Sequence, residues 1–289
     1  MSDGRQVAAG GWRVIPASVT GPGHGRLGLV NQDRCEHQPL GGGGHLFAVA
    51  DGAGSRSRSQ HGADLAVSAA CAAAEQCFAS GGPPPDPDLW TRAAHEFGQE
   101  CLRIFDRLLD NQVAELYPTG AAVAHTDPTP YGPGTEGGRT DFATTLLAVA
   151  AFPPWYVYFG VGDGFLVVDR QPGGAWLTVP PPQGREHEGA TVFLTSRHRD
   201  SNLICGVLCD PLIRGLAVCT DGVLDGMLKE RQASDGTWSL SAPATFAQYF
   251  DYFRSPKSRR EDLLERLASD DFASTSGDDK TMVLAVYEP

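Results

Sequence analysis

Three apolar segments of this 289-residue chain end close to an Asp-Gly pair, and this repetition restricts how the chain can fold. The pairs begin at Asp51, Asp163 and Asp221, and they follow the apolar runs 47–50, 155–161 and 216–219. Each run can form a buried strand that delivers one carboxylate to the edge of a sheet. Two carboxylates 4 Å apart would repel each other by about 4 kcal/mol at an effective dielectric constant near 20. A group of such carboxylates therefore predicts a compensating divalent cation.

The first junction has donor atoms that suit such a cation. Gly52 follows Asp51 and allows the backbone to turn, so that its carbonyl oxygen can point in the same direction as the carboxylate. Carboxylate and carbonyl oxygens are ligands that magnesium and manganese prefer. Taken alone, the pattern is more typical of an ordinary turn. The chain also carries Asp278 and Asp279 immediately before a strand-like run at 280–287, so the acidic motifs extend to its C-terminal end.

Composition and charge restrict the class of protein. With 41% hydrophobic and 20% charged residues the sequence is typical of a globular protein, and we predict one domain over residues 1–289. The formal net charge of −12 argues against nucleic acid or a membrane surface as a partner. No apolar run is long enough to cross a bilayer and no signal peptide is evident. We therefore expect a cytoplasmic protein whose seven cysteines are reduced.

The hydrophobic pattern groups helices in pairs and strands in runs, which indicates an α+β protein. Helical spacing covers residues 62–79, 89–116, 245–253 and 258–268. Strand-like runs cover residues 12–20, 143–152, 155–161, 165–170, 176–179 and 191–194. Because their connections are short, we expect antiparallel pairing. Residues 118–139 are rich in Pro, Gly and Thr and predict a long flexible loop, either a substrate flap or an insertion.

Six short motifs occur in an order that resembles one protein family. They are NQD at 31–33, ADG at 50–52, ATT at 143–145, VGDG at 161–164, CTDGVLD at 219–225 and GDDKT at 277–281. Together they span almost the whole chain, which is similar to the metal-dependent protein serine/threonine phosphatases of type 2C, as a divergent bacterial-like member. The resemblance implies a central antiparallel β-sandwich flanked by pairs of α-helices, in four layers. It also implies hydrolysis of phosphoserine and phosphothreonine in proteins.

The resemblance further implies a site for two magnesium or manganese ions. Asp51 would bridge both ions, Asp221 and Asp278 would complete the coordination of one, and the carbonyl of Gly52 would bind the other. A water molecule that bridges the two ions would attack phosphorus without a phosphoenzyme. Successive side chains at the head of a strand point to opposite faces, and the family pattern aligns Asp278 with the ligand and Asp279 with a position where a neutral amide serves.

Three more aspartates match functional positions of the family. Asp163 and Asp225 align with residues that help to hold a third, weaker ion. Asp33 aligns with a residue that orients the attacking water, which makes it part of the implied catalytic set with the aspartates of the binuclear site.

The chain also departs from the commoner family pattern. Gln32 stands where a glutamate is usual, so it can hold a water molecule but brings no charge. Gly28 occupies the place of an arginine that binds the substrate phosphate. Arg26 and His24 lie nearby, and either could bind the phosphate, Arg26 through two parallel hydrogen bonds and His24 as a donor or general acid. The histidine that follows Asp-Gly in many relatives is absent; His61 is either a substitute or an ordinary helix-entry residue.

Two other functions stay open on the sequence alone. A catalytically weak or inactive phosphatase-fold protein could bind a phosphoprotein or a regulatory partner, and Gln32 together with the absent histidine favours this alternative slightly. The retained metal-site aspartates favour an enzyme that acts on a phosphorylated protein, in a system with a cognate serine/threonine kinase. A dinucleotide-binding enzyme is suggested by Gly23, Gly25 and Gly28, but residues 29–40 lack the helical periodicity that this fingerprint requires.

Overall fold

The computed structural model describes residues 11–117, 138–181, 191–232 and 238–288. The strands are β1 (Gly11–Val19), β2 (Arg34–Pro39), β3 (His45–Ala50), β4 (Leu146–Phe152), β5 (Trp155–Val161), β6 (Phe165–Arg170), β7 (Gly174–Val179), β8 (Ile204–Cys209), β9 (Ile213–Cys219), β10 (Lys229–Gln232), β11 (Trp238–Ser241) and β12 (Lys280–Glu288). The helices are α1 (Pro22–Leu27), α2 (Ser59–Phe78), α3 (Pro87–Leu116), α4 (Leu224–Met227), α5 (Ala244–Arg254), α6 (Arg260–Leu267) and α7 (Asp270–Ala273).

Two five-stranded antiparallel sheets form the centre of the fold. One has the strand order β1-β12-β9-β6-β7 and the other the order β2-β3-β4-β5-β8, while β10 and β11 pair separately. Helices α2 and α3 pack on the outer face of the second sheet, and α5 and α6 pack on the outer face of the first. These layers confirm the predicted α+β class and the four-layer arrangement.

Strand β3 shows how the alternation of side chains builds this layered core. Phe47 and Val49 point into the core between the two sheets, whereas Leu46, Ala48 and Ala50 point into the core under the helices. A strand that is buried on both faces reads as a continuous apolar run. The run at 47–50 was therefore a reliable sign of a central strand that ends at Asp51.

The helices next to this sheet approach it closely because small residues lie at the contacts. Helix α2 buries Ala66, Ala70 and Ala73 completely. At Gly62 a Cβ atom would lie 2.1 Å from the carbonyl oxygen of Phe142, so only glycine allows this approach. Among the residues described, no helix combines the length and apolar character needed to span a membrane.

The glycine-rich segment at 21–33, for which no helix was predicted, contains α1. Pro22 occupies the first turn and Gly28 ends the helix with φ of 67°, a conformation that favours glycine. The backbone N–H of Gly23 donates to the carbonyl of Gly277 at 2.8 Å. This contact with the opposite end of the chain stabilises a helix of six residues that its own glycine content disfavours.

The structure also differs from the predicted strand at 191–194 and from the C-terminal end of the predicted loop at 118–139. The strand predicted at 191–194 is absent, because Thr191 donates its hydroxyl to Asp163 at 2.8 Å and the N–H of Leu194 donates to the carbonyl of Thr144 at 2.8 Å. Strands β2, β8, β10 and β11 were not predicted. Residues 118–137 of the predicted loop lie outside the described residues, and Arg139 begins a short 3-10 helix at Arg139–Phe142.

Candidate metal centre

The aspartates of the acidic motifs gather where strands of both sheets end. Asp51 follows β3 directly, Asp221 lies just after β9 and Asp278 lies just before β12. Because Cys219 of β9 is paired with Met282 of β12, the end of one strand meets the start of the other. One carboxylate oxygen from each of the three aspartates lies within 4.8 Å of the other two. The fold thus brings together residues that are far apart in sequence.

Two buried threonines hold the backbone at Asp51. The hydroxyl of Thr144 donates to the Asp51 carbonyl at 2.9 Å, and the N–H of Thr145 donates to the same carbonyl at 2.8 Å. The N–H of Asp51 donates to the hydroxyl of Thr145 at 3.0 Å. Because of these bonds, β4 begins at Leu146 rather than at residue 143. The bonds also fix the direction in which the Asp51 side chain leaves β3.

The glycines of the Asp-Gly pairs are needed for close approach rather than for an unusual backbone angle. A Cβ atom on Gly52 would lie 2.7 Å from the carbonyl carbon of Ser59 and 2.8 Å from the carbonyl oxygen of Gln32. A Cβ atom on Gly222 would lie 1.8 Å from the carbonyl oxygen of Asp279. Neither glycine has a positive φ. The glycines therefore allow the loops that carry the carboxylates to pack against one another.

Burial and mutual repulsion make the carboxylates of this cluster hard to ionise. Burial raises the pKa of Asp33 to about 7, although hydrogen bonds with Thr281 and Thr220 oppose the rise. Burial also raises the pKa of Asp221 to about 7, with Asp163 adding to the effect. The pKa of Asp51 is raised well above its ordinary value, first by burial and then by the charge of Asp33. Such a group of carboxylates is stable in its ionised form only beside a cation.

Several oxygens of the cluster are buried without a hydrogen-bond donor from the described residues. They are Oδ1 of Asp163, Oδ1 of Asp221 and Oε1 of Gln32. A buried oxygen that accepts no hydrogen bond costs about 1–3 kcal/mol. All three are hard oxygen donors, which suits magnesium or manganese. The residues present therefore fit the metal site that the family resemblance implies.

These pKa shifts predict how the metal-free protein responds to pH. The pKa of the Asp221 carboxyl group rises from 3.8 to about 7 on folding. Between about pH 4 and pH 7 the group is therefore ionised in the unfolded state but protonated in the folded state. The free energy of unfolding falls as pH rises through this range. With EDTA present, we expect the free energy of unfolding to fall by about 2–4 kcal/mol more in the wild type than in Asp221→Asn between pH 5 and pH 8. Urea denaturation at several pH values measures this difference.

The comparison with Asp221→Asn is needed because a histidine acts in the opposite direction. Burial lowers the pKa of His37 to about 4, and a histidine that is neutral in the folded state stabilises it as pH rises through about 6.5. His37 is present in both proteins, so its effect cancels. A wild type that gained stability relative to the variant over this range would contradict the raised pKa values.

The side chains of Asp278 and Asp279, which directly precede β12, contact different parts of the structure. Asp279 accepts hydrogen bonds from the backbone N–H groups of Gly21, at 2.8 Å, and Gln32, at 2.6 Å. Asp278 joins the metal-type cluster, and its backbone carbonyl accepts a hydrogen bond from Lys280 Nζ at 2.9 Å. Asp279 therefore connects the segment around α1 to the metal centre.

His24 lies beside this connection and faces the cluster. Its Nδ1 is 2.9 Å from Oδ2 of Asp279 and has no well-directed hydrogen bond among the described residues. One ring nitrogen of His24 is within 4.8 Å of a carboxylate oxygen of Asp278. A Cβ atom on Gly54 would lie 3.2 Å from Nε2 of His24. The imidazole thus lies next to the loop that follows Asp51 and Gly52.

The remaining site candidates lie in different environments. Asp33 is buried and accepts a hydrogen bond from the Thr220 hydroxyl at 2.9 Å. Asp225 is exposed on α4, and Arg26 is exposed on α1. His61 is an exposed residue near the start of α2, as expected of a helix-entry residue. The fold therefore brings His24 and Asp33, but not Arg26 or His61, into the buried part of the site.

Two threonines of the site were not identified from the sequence as functional residues. Thr220 precedes Asp221 within the CTDGVLD motif, so a hydroxyl next to a motif carboxylate was an available signal. Thr191, which donates to Asp163, lies in a segment whose pattern suggested a strand, and no sequence signal marks its role.

The four-layer fold with a carboxylate cluster at the strand ends is that of a metal-dependent phosphatase. A sequence model of the family described as protein phosphatase 2C matches residues 20–268. The chain belongs to this family, and with it to the protein serine/threonine phosphatases.

Comparisons with individual proteins agree with this family assignment. The chain is 28% identical over 290 residues to serine/threonine-protein phosphatase 3 of Escherichia coli K12, which covers 96% of this chain and 98% of the relative. It resembles the structure of the serine/threonine phosphatase Stp1 from Staphylococcus aureus, with a TM-score of 0.59, 12% identity and full coverage (100%) of both chains. It also resembles the catalytic domain of the serine threonine protein phosphatase PstP in complex with 2 manganese ions, with a TM-score of 0.56, 16% identity and 96% and 99% coverage. At these identities the two structures bear on the fold alone.

Proposed function

We propose that this protein hydrolyses phosphoserine and phosphothreonine in proteins at a site that holds two divalent ions, magnesium or manganese. The observation that carries the proposal is the convergence of three carboxylates, Asp51, Asp221 and Asp278, within 4.8 Å of one another. Oδ1 of Asp221 is buried there without a hydrogen-bond donor from the described residues, which supports a role as a metal ligand.

The same residues supply a consistent set of ligands. Asp51 would bridge the ions, Asp221 and Asp278 would bind one of them, and the Gly52 carbonyl would bind the other. Asp163, whose Oδ1 is also unsatisfied, would bind a third ion; Asp225, exposed on α4, would join it only at the edge of the site. When bound, such ions lower the pKa of a shared water molecule and neutralise the oxygens of the phosphoryl group.

Other residues of the chain would position the reactants. The carboxylate of Asp33, held by the Thr220 hydroxyl, would orient the attacking water by accepting a hydrogen bond from it. His24 would donate a hydrogen bond to the substrate phosphate from the loop side. Arg26 is exposed, so its guanidinium is available for two parallel hydrogen bonds with the phosphate. Gln32 would hold a water molecule through its unsatisfied Oε1.

Cysteine chemistry does not explain this site. Cys219, the cysteine next to the cluster in sequence, is buried, and burial raises its thiol pKa well above the ordinary value. Burial likewise raises the pKa of Cys35 to about 11. A nucleophilic cysteine requires a lowered pKa, so the nucleophile would be water. All seven cysteines are free, which supports the further proposal that the enzyme acts in the cytoplasm. Its substrate there would be a phosphoprotein of a serine/threonine kinase system.

Metal removal tests this proposal. We expect the purified protein to hydrolyse p-nitrophenyl phosphate and phosphoserine or phosphothreonine peptides with Mn²⁺ or Mg²⁺, to lose this activity in EDTA and to regain it when the ion is restored. Activity should be insensitive to thiol alkylation, which is the control for a cysteine nucleophile. Hydrolysis that persists in full chelation would contradict the two-ion mechanism. Phosphopeptide binding without turnover would instead favour an inactive phosphatase-fold protein.

A further inference from the structure

An exposed apolar surface lies at the C-terminal end of α1. Leu27, Leu29 and Val30 are 73%, 41% and 60% exposed, and they are three of the five large hydrophobic residues with exposed side chains in the described part of the chain. Single exposed apolar residues are normal on protein surfaces, whereas three within four consecutive positions form a patch. We call these three residues the apolar rim.

The rim lies at the end of α1 that does not pack against the metal centre. A Cβ atom on Gly21 would lie 2.1 Å from the carbonyl oxygen of Asp278, and one on Gly23 would lie 2.6 Å from that of Gly277. By contrast, Cβ atoms on Gly25 and Gly28 would have no atom within 4 Å. The N-terminal end of the segment thus contacts the loop that carries a metal-type carboxylate, and its C-terminal end, which carries the rim, faces solvent.

The rim is also close to the place where a phosphorylated residue would sit. One ring nitrogen of His24 is within 4.8 Å of a carboxylate oxygen of Asp278. Leu27 lies about 5 Å further along the helix axis, at a rise of about 1.5 Å per residue. Leu29 and Val30 follow the helix end, and the rim therefore extends up to about 10 Å beyond Leu27 along the chain. An extended peptide advances about 3.3 Å per residue and covers about 10 Å in three residues, so a residue about three positions from the phosphorylated one would reach the rim.

We propose that the apolar rim binds the protein substrate through an apolar side chain about three positions from the phosphorylated residue. The inference rests on the proposed function. A substrate is the fitting occupant because one continuous segment, residues 24–32, carries the rim together with His24 and Gln32, which the proposed function assigns to the substrate phosphate and to a water molecule. A second copy of the chain fits less well, because two surfaces of proteins with a formal net charge of −12 repel each other.

The test compares two phosphoserine peptides that differ only in leucine or serine at the third position from the phosphoserine. In the double variant Leu27→Ser/Val30→Ser, we expect kcat/KM for the leucine peptide to fall about tenfold, as the loss of one buried leucine contact predicts. The serine peptide and p-nitrophenyl phosphate should change by less than about twofold, because neither buries apolar surface on the rim. The control Trp176→Ser removes another side chain, 56% exposed, and should leave all three substrates unchanged.

Binding of the same two peptides, measured by fluorescence anisotropy with Mn²⁺ present, gives a readout that does not need turnover. The unaltered protein should bind the leucine peptide about tenfold more tightly than the serine peptide, and the double variant should bind both equally. Equal effects on the two peptides, or no effect on either, would overturn the proposal. So would a concentration-dependent dimer of the unaltered protein that the double variant abolishes. If p-nitrophenyl phosphate is not hydrolysed, the proposed function fails. The ratio of the affinities for the leucine and serine peptides still decides whether the rim binds an apolar side chain.

Discussion

Replacing Asp51 with asparagine should abolish phosphate-ester hydrolysis and raise the melting temperature of the metal-free protein. Activity should fall by about three orders of magnitude or more, since the residue proposed to bridge both ions loses its charge. Stability should rise because burial and the neighbouring charge of Asp33 both oppose ionisation of Asp51. A gain of about 1–3 kcal/mol corresponds to a few degrees in melting temperature for a protein of this size. Calorimetry in EDTA and a p-nitrophenyl phosphate assay with Mn²⁺ measure the two effects.

A second buried aspartate provides a control with the opposite expected sign. Asp169 is 2% exposed and forms an ion pair with Arg254. Asp169→Asn removes the partner of a partly buried cation, so it should destabilise the protein by about 3 kcal/mol and leave metal affinity unchanged. If Asp51→Asn also lowered the metal-free melting temperature, Asp51 would be a structural hydrogen-bond acceptor rather than a residue under electrostatic strain.

The sequence predicted the structure best where a hydrophobic pattern is compatible with few kinds of secondary structure. An apolar run buried on both faces can only be a central strand or a buried helix, and the short run at 47–50 before Asp51 favoured the strand. Because several such runs end in a carboxylate, their convergence was also predictable. Helices α2, α3, α5 and α6 were predicted to within a few residues, as the buried stripe of Phe97, Ile104 and Phe105 on α3 illustrates, because it repeats with helical spacing.

The differences arise where tertiary contacts outweigh local pattern. Helix α1 forms in a glycine-rich segment because Gly23 is bonded to Gly277, a contact between distant parts of the chain. Residues 191–194 have a strand-like composition, but their hydrogen bonds go to the metal-centre loops, to Asp163 and Thr144, instead of to a neighbouring strand. Local propensity is too weak to predict either outcome.

The contact between His24 and Asp279 could not be inferred for the same reason. The sequence gives no sign of which carboxylate His24 approaches. Only the packing of α1 against the loop before β12 brings its Nδ1 to 2.9 Å from Asp279. The role of Asp279 therefore depends on a part of the fold that the family pattern does not describe.

Asp278 and Asp279 should differ sharply when each is replaced by asparagine. For Asp278→Asn we expect activity to be lost and Mn²⁺ affinity to fall by about a hundredfold or more, because a ligand needs an anionic oxygen. For Asp279→Asn we expect most of the Mn²⁺ affinity and activity to remain. The two variants are compared by Mn²⁺ titration calorimetry and by p-nitrophenyl phosphate turnover at saturating Mn²⁺.

In EDTA, the variant that keeps its activity, Asp279→Asn, should be the less stable of the two. The two carboxylate oxygens of Asp279 accept backbone hydrogen bonds from Gly21 and Gln32, and asparagine offers only one acceptor oxygen. One buried N–H would then face the amide NH₂, at a cost of about 1–3 kcal/mol. Asp278→Asn removes a charge from a repelling cluster and should leave the metal-free protein at least as stable as the wild type. Weak Mn²⁺ binding by Asp279→Asn together with normal binding by Asp278→Asn would show that Asp279 is the ligand.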